Sequence, residues 1–260
     1  MSNSNNIIKS VNDNQHQILL DIMKIYGINE ITLDFTYSCG NFYKPSKDKD
    51  GDTICVPQPT YKMDVCPQTE DTVKIEKMGK IPLKDSSCKC IVYDPPFVIA
   101  PPEAPSMTTN KKDGSNVIQK RFASFYPVSE LLETYWFHMN EMYRLLEDDG
   151  FAIVKCQPTV SSRKQVNSPE WLWLCGETVG FDMIDKFVLT ANTRLISGKH
   201  KKQEHSRRFE SYFLVFKKSR KQKTKYICNE EIKNGIIEGF VKNNIVNKKI
   251  NKKNCNEFQY

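Results

Sequence analysis

No stretch of this 260-residue sequence approaches the ~18–20 consecutive apolar residues that a membrane span requires. The opening MSNSNNIIKSVNDN lacks the basic start and apolar core of a secretory signal. Both absences lead to the expectation of a cytoplasmic protein with no membrane partner. Ordered cysteine pairing is missing as well. There are 9 cysteines, an odd count, with no CxxC and no Cys/His set at metal-ligand spacing. Cys88 and Cys90 form a lone CxC, so free thiols are expected and no metal site. DKDGD at 48–52 looks like the start of a calcium loop, but Pro57 stands where the bidentate glutamate belongs.

Net charge is missing from most of the chain. Of 38 Lys and Arg and 31 Asp and Glu, 27 of each sign lie in residues 1–217. The formal charge of +7 therefore sits in the last 43 residues, where 11 basic residues face 4 acidic ones. A neutral body with a basic arm suits a polyanionic partner. With 39% hydrophobic and 27% charged residues, the body has the composition of one globular α/β domain. The expected organisation is a domain over 1–218, with an exposed insertion at about 44–60 and a long loop at about 98–127. A Lys/Asn-rich tail follows over 219–260.

Periodicity supplies the elements. HQILLDIMKIY (16–26) has Ile18, Ile22 and Ile25 at helical spacing. Ile31, Leu33 and Phe35 alternate as in a strand, YKMDVC (61–66) reads as a second strand, and CKCIVYD (88–94) as a third, buried on both faces. The segment from Ser129 to Gly150 reads as a helix capped by Ser129. FAIVKCQ is a strand, and Ser168-Pro169 opens a helix that Gly180 ends. FDMIDKFVLTA and ESYFLVFKK are two further strands with only a basic loop between them. The alternation predicts an α/β, Rossmann-like, doubly wound sheet: mostly parallel, seven-stranded, with an antiparallel edge hairpin.

The third strand ends in Asp94-Pro95-Pro96-Phe97. Ligands in open parallel sheets bind outside the carboxyl ends of the strands, where Asp94 falls. Two prolines fix two φ angles and remove two N–H donors. What remains offers only acceptors, beside the aromatic face of Phe97. Such a rim suits a planar guest with an exocyclic amine. The amine gives its hydrogens to the rim while the ring stacks on Phe97.

On these residues the sequence resembles the S-adenosyl-L-methionine-dependent amino-methyltransferases, whose signature is Asp/Asn/Ser-Pro-Pro-Tyr/Phe. The leading aspartate resembles the adenine-N6 type more than the Ser-led cytosine-N4 type. The resemblance covers residues 30–218 and implies roles. Asp94, Pro95, Pro96 and Phe97 match the catalytic motif. Asp34, Thr36 and Gly40 in LDFTYSCGNFY match the cofactor turn, which here has one glycine where the family has two or three. Asp64 matches the acid that holds the cofactor's ribose. The implied reaction is direct methyl transfer to an exocyclic amine, with DNA a more natural substrate than RNA. A thiol mechanism would need a Pro-Cys turn where Asp94 stands, and none is present.

Base flipping into such a pocket would bring the 98–127 loop, with Lys111, Lys112, Lys120, Arg121 and nearby aromatics, over the substrate. Lys199, Lys201, Lys202, Arg207 and Arg208, between the last two strands, are candidate phosphate contacts. Two other readings stand beside this one. The same rim fits a protein amine (Lys, Gln or an N-terminus). A fold of this kind can also serve as a catalytically inactive nucleic-acid-binding module.

Overall fold

The protein was analysed as a computed structural model that describes residues 7–97, 99, 125, 128–161, 164–191, 206 and 208–219. The chain divides into two units, Met1–Gln222 and Lys223–Tyr260, and the described residues belong to the first. The expected tail and most of the 98–127 loop lie outside the described residues.

Among the described residues, twelve strands and three α-helices alternate along the first unit. In chain order they are β1 (Val11–Asn12), α1 (Gln15–Tyr26), β2 (Leu33–Asp34), β3 (Ser46–Lys47), β4 (Thr53–Ile54), β5 (Tyr61–Asp64), β6 (Val73–Lys74) and β7 (Cys88–Tyr93). Then come α2 (Val128–Leu145), β8 (Leu146–Cys156), β9 (Thr159–Ser161), β10 (Lys164–Val166), α3 (Ser168–Val179), β11 (Asp182–Thr190) and β12 (Glu210–Lys217). No helix among the described residues is long and apolar enough to cross a membrane.

Eight strands form one sheet in the order β1-β11-β12-β8-β7-β2-β5-β6. Only β12 runs against its neighbours, pairing antiparallel with both β8 and β11. Every other pairing in this sheet is parallel. The doubly wound, mostly parallel sheet expected from the sequence is thus present, with one strand more than seven. The β11–β12 hairpin does not stand at a bare edge, because β1 pairs with β11 through Val11 and Val188.

The order reverses at β2. From there the chain builds outward through β5 and β6, then returns to lay β7 on β2's other side. That switch point is where open α/β sheets bind ligands. In register, Asp34 lies opposite Val92, so Thr36 comes level with Asp94.

Both faces of the sheet are covered. Leu33, Ile91, Tyr93, Val154 and Leu214 pack under α2 and α3, with Leu131, Tyr135, Met139 and Leu172. Cys90, Val92, Ile153, Phe213 and Val215 pack under α1. Cys88 and Cys90 thereby enter opposite cores. Burying a side chain such as Phe213 contributes about 1.5–3 kcal/mol.

Several boundaries differ from the sequence-based expectation. Helix α1 buries Ile18, Leu19, Ile22 and Met23, while Ile25 is 45% exposed. Its buried stripe thus follows i, i+1, i+4, i+5. The Asn14 side chain caps the helix by accepting from the N–H of His16 and Gln17. Helix α2 stops at Leu145, and Leu146–Gly150 already belongs to β8. A bulge opposite Cys88–Cys90 accommodates the turn of chain there. Gly150 is required, because a Cβ would lie 2.9 Å from the Glu147 carbonyl oxygen and 3.1 Å from that of Lys89. Ser129 lies inside α2 rather than capping it. The N-cap of α3 is Asn167, one residue before Ser168. The 44–60 insertion carries the β3–β4 hairpin and sends Val56 fully into the core. Asp48, read above against a calcium loop, accepts from the N–H of Asp50 and Asp52 in the hairpin's turn.

A clamp fixes the approach to β7. Arg144 on α2 pairs with Glu141 at 2.7 Å and Asp85 at 2.6 Å, and donates to the carbonyls of Ile81 and Leu83. Glu141 also accepts the Ile81 N–H at 3.0 Å. Burial works against the Glu141 charge, but Arg144 and that N–H outweigh it and hold the carboxyl below its usual range.

Candidate active site

Strand β2 ends on a buried acid. Asp34 is 1% exposed. One of its oxygens accepts from the Tyr43 hydroxyl at 2.8 Å. The other accepts from Thr36 twice, from the N–H at 2.8 Å and the hydroxyl at 3.1 Å. Burial pushes the carboxyl up to about 7, against the pull of these three donors; the Asp94 charge adds to the rise.

The turn after β2 is backbone-constrained. Ser38 has φ 50° and Gly40 has φ 64°. A Cβ on Gly40 would meet the Tyr37 hydroxyl oxygen at 2.5 Å. Tyr37 has little freedom to yield: its hydroxyl donates to Gln58 at 2.8 Å and its ring stacks on Tyr43. Asp64, at the end of β5, ties this turn down. It accepts the Ser38 N–H at 2.7 Å and the Cys66 N–H at 2.6 Å. Burial raises its pKa, and the two N–H groups counter that. The Ser38 hydroxyl is buried and has no hydrogen-bond partner among the described residues.

Asp94 follows β7 on the other side of the switch point. Its N–H donates to the Thr36 hydroxyl at 2.7 Å. Its carboxylate lies 3.3 Å from Lys155 Nζ, and the side chain is 27% exposed. Burial raises the Asp94 pKa and Lys155 lowers it. Pro95 is buried, while Pro96 and Phe97 are half-buried. Lys155, from the carboxyl end of β8, also donates to the Gln15 side chain at 3.2 Å. Its ammonium lies 5.0 Å from the centre of the Phe42 ring and 5.8 Å from that of Phe213.

Behind Asp94 lies an aromatic layer. Tyr93 stacks on Phe35 with centroids 4.7 Å apart, and His138 meets both rings edge-on. His138 Nδ1 lies 2.7 Å from the Tyr93 hydroxyl oxygen, within hydrogen-bond distance. Burial holds His138 neutral by lowering its pKa to about 4. It supports Tyr93 and faces the core, as a packed histidine does.

The structure therefore brings Asp34, Thr36, Gly40, Asp64 and Asp94–Phe97 to one edge of the sheet. Lys199, Lys201, Lys202 and Arg207 lie outside the described residues. Arg208 is described: it bonds to Gln165 on β10 and lies 3.7 Å from Glu210. Trp171 packs against the core and donates to the Leu132 carbonyl on α2. Sequence reasoning missed Lys155, Gln15 and Tyr43. Lys155 did carry a signal, as the one charge in the apolar run Phe151–Gln157.

No protein-family model and no curated protein matches the sequence. Among solved structures, the chain is similar to a Thermus thermophilus protein named for DNA modification methylase activity, in complex with S-adenosyl-L-methionine. Identity is 14%, coverage 58% of this chain and 54% of that one, and the TM-score 0.37. A second similar structure is a SAM-dependent methyltransferase from Methanosarcina mazei, at 9% identity, 63% and 73% coverage and TM-score 0.33. A third is the cyclase SpnF, at 12% identity, 57% and 56% coverage and TM-score 0.32. The match spans about half the length of the Thermus chain.

Proposed function

We propose that the protein is an S-adenosyl-L-methionine-dependent methyltransferase acting on the exocyclic amine of a nucleobase, adenine N6 in DNA. The observation that carries this reading is the pairing of two sites across one switch point. Asp94 opens an acceptor-only Pro-Pro segment on one side, and Asp34 and Asp64 flank a tight glycine turn on the other.

The residues present fit the cofactor. Gly40 gives the turn its left-handed φ and lets the Tyr37 ring pack where a side chain would stand, which holds the turn in one shape beside Asp34 and Asp64. Asp64 uses two lone pairs on N–H groups and retains capacity for the hydroxyls of a ribose. The Ser38 hydroxyl is buried with no partner among the described residues, and a polar ligand in the turn would supply one. When bound, the cofactor supplies a methyl on a sulfonium sulfur, which an amine takes by direct displacement.

The chain's own residues do the rest. Asp94 and the Pro95 carbonyl accept the two amine hydrogens and aim the nitrogen lone pair. Phe97 stacks on the ring. Asp94 takes the surplus proton as the new C–N bond forms. Thr36 holds the Asp94 backbone, so the acceptor keeps its place while the guest arrives.

A polyanionic substrate is supported by topology and charge. Strand β11 runs parallel to β8 and ends at Thr190, on the same edge as Asp94, and β12 starts from that edge at Glu210. The connection between them carries Lys199, Lys201, Lys202, Arg207 and Arg208. Affinity for nucleic acid should therefore fall steeply with salt.

The test is to incubate the protein with methyl-labelled cofactor and a mixture of DNA, RNA and protein, then hydrolyse and chromatograph the labelled fraction. Label in N6-methyladenine from DNA is the expected result. Label confined to an amino acid would overturn the nucleobase reading. Cofactor binding without transfer to any of the three would overturn the proposed substrate range.

A further inference from the structure

Lys155 is the one charged side chain in an otherwise apolar strand end, and that side chain is 14% exposed. Strand ends buried on both faces rarely carry an ammonium unless it is paired. Its partners here hold it loosely. The contact with Asp94 is 3.3 Å, against about 2.7–2.9 Å for a well-formed charge-assisted bond. The contact with Gln15 is 3.2 Å. The aliphatic stem and the Phe42 and Phe213 rings fix where the ammonium stands, while its hydrogens remain available for exchange.

We infer that Lys155 Nζ and the Asp94 carboxylate form a donor–acceptor pair that reads an amine together with the ring-nitrogen acceptor next to it. This rests on the proposed function and narrows its substrate class. Adenine presents that edge at N6 and N1, and cytosine at N4 and N3. An amine that donates to Asp94 brings its neighbouring ring nitrogen beside Nζ. Nζ then exchanges its Gln15 contact for that nitrogen, and the ion pair with Asp94 persists. An alkyl amine of a protein has no such neighbour, and in its protonated form it meets a second cation at Lys155. Buried polar groups left unpaired by a wrong guest are the strongest source of discrimination available to a site of this kind.

The experiment uses the full chain, methyl-labelled cofactor and short single-stranded DNA containing adenine, 1-deazaadenine or 7-deazaadenine. Replacing N1 by C–H makes the exocyclic amine more electron-rich, so intrinsic reactivity alone favours the 1-deaza analogue. The inference expects the opposite: kcat/KM lower by ~10–100-fold for 1-deazaadenine, and within a few-fold of adenine for 7-deazaadenine. Lys155→Met should lower kcat/KM on adenine by a similar factor and no longer distinguish adenine from its 1-deaza analogue. Lys155→Arg, which keeps the donor, should recover part of the difference. The analogue series on the unaltered chain does not depend on how any variant folds. Equal rates on adenine and 1-deazaadenine would overturn the inference and leave the proposed function standing. No transfer to any adenine-containing strand would overturn both.

Discussion

The hydroxyl of Thr36 accepts the backbone N–H of Asp94 at 2.7 Å and gives its own hydrogen to Asp34 at 3.1 Å. One side chain thus joins the end of β2 to the turn after β7. Thr36→Val removes this link with little change in volume and leaves the Asp94 N–H without its partner. The expected loss is about 1–3 kcal/mol of stability, read as a lower urea midpoint. In single-turnover assays the transfer rate should fall by more than cofactor affinity does, and Thr36→Ser should restore both.

Asp94→Ala removes the acceptor proposed for the reacting amine. Transfer should drop at least ~100-fold, the scale on which a lost transition-state hydrogen-bond partner acts. Cofactor affinity by calorimetry should stay within a few-fold of the unaltered chain, because Asp34, Gly40 and Asp64 are untouched. A variant that keeps the full transfer rate would remove Asp94 from the chemistry.

At Gly40, an alanine would combine φ 64° with a Cβ 2.5 Å from the Tyr37 hydroxyl oxygen. The strain alone costs on the order of 1 kcal/mol, and moving Tyr37 disturbs its bond to Gln58. Gly40→Ala should therefore melt lower and bind cofactor at least tenfold more weakly.

Asp34 makes stability depend on pH with a defined sign. Its carboxyl titrates near 3.9 in an unfolded chain and is pushed up to about 7 here by burial. The folded state holds the proton more tightly. This group's contribution is therefore most favourable below about pH 4 and is lost as pH rises towards 7. Urea midpoints measured across that window should decline more in the unaltered chain than in Asp34→Asn, which has no charge to bury.

Arg144→Met strands Glu141, which is 12% exposed, without its cation. Breaking one side of such a pair costs about 3–5 kcal/mol. The loss should appear in the urea midpoint, and Arg144→Met/Glu141→Leu should recover part of it by removing the orphaned carboxylate.

What could be read from the sequence follows physical signal strength. Strand β7 stood out because five of its six residues are buried, which leaves a nearly unbroken apolar run. Helix α1 has both an Asn14 cap and a Gly27 stop. Strands β1 and β6 are two residues long, too short to show any period. The start of β8 looked helical because LLEDDG continues the α2 pattern, and only pairing with Cys88 decides otherwise. Asp34 and Asp64 of the candidate site end strands and Asp94 directly follows one, the positions that the sequence resemblance singles out. Lys155 was visible as an oddity, but its partners come from Gln15 and Asp94, 140 and 61 residues away, and no local pattern encodes that.

The first helix begins at the site itself. Gln15 touches Lys155, and His16 Nε2 lies 3.0 Å from the Asn41 carbonyl oxygen in the turn after β2. A fragment starting after Tyr26 would keep every acid named here and seven of the sheet's eight strands. It would still lose the Gln15 contact with Lys155 and expose the apolar side of the sheet around Ile153 and Phe213. The smallest working unit of this protein therefore reaches upstream of everything that looks like a motif.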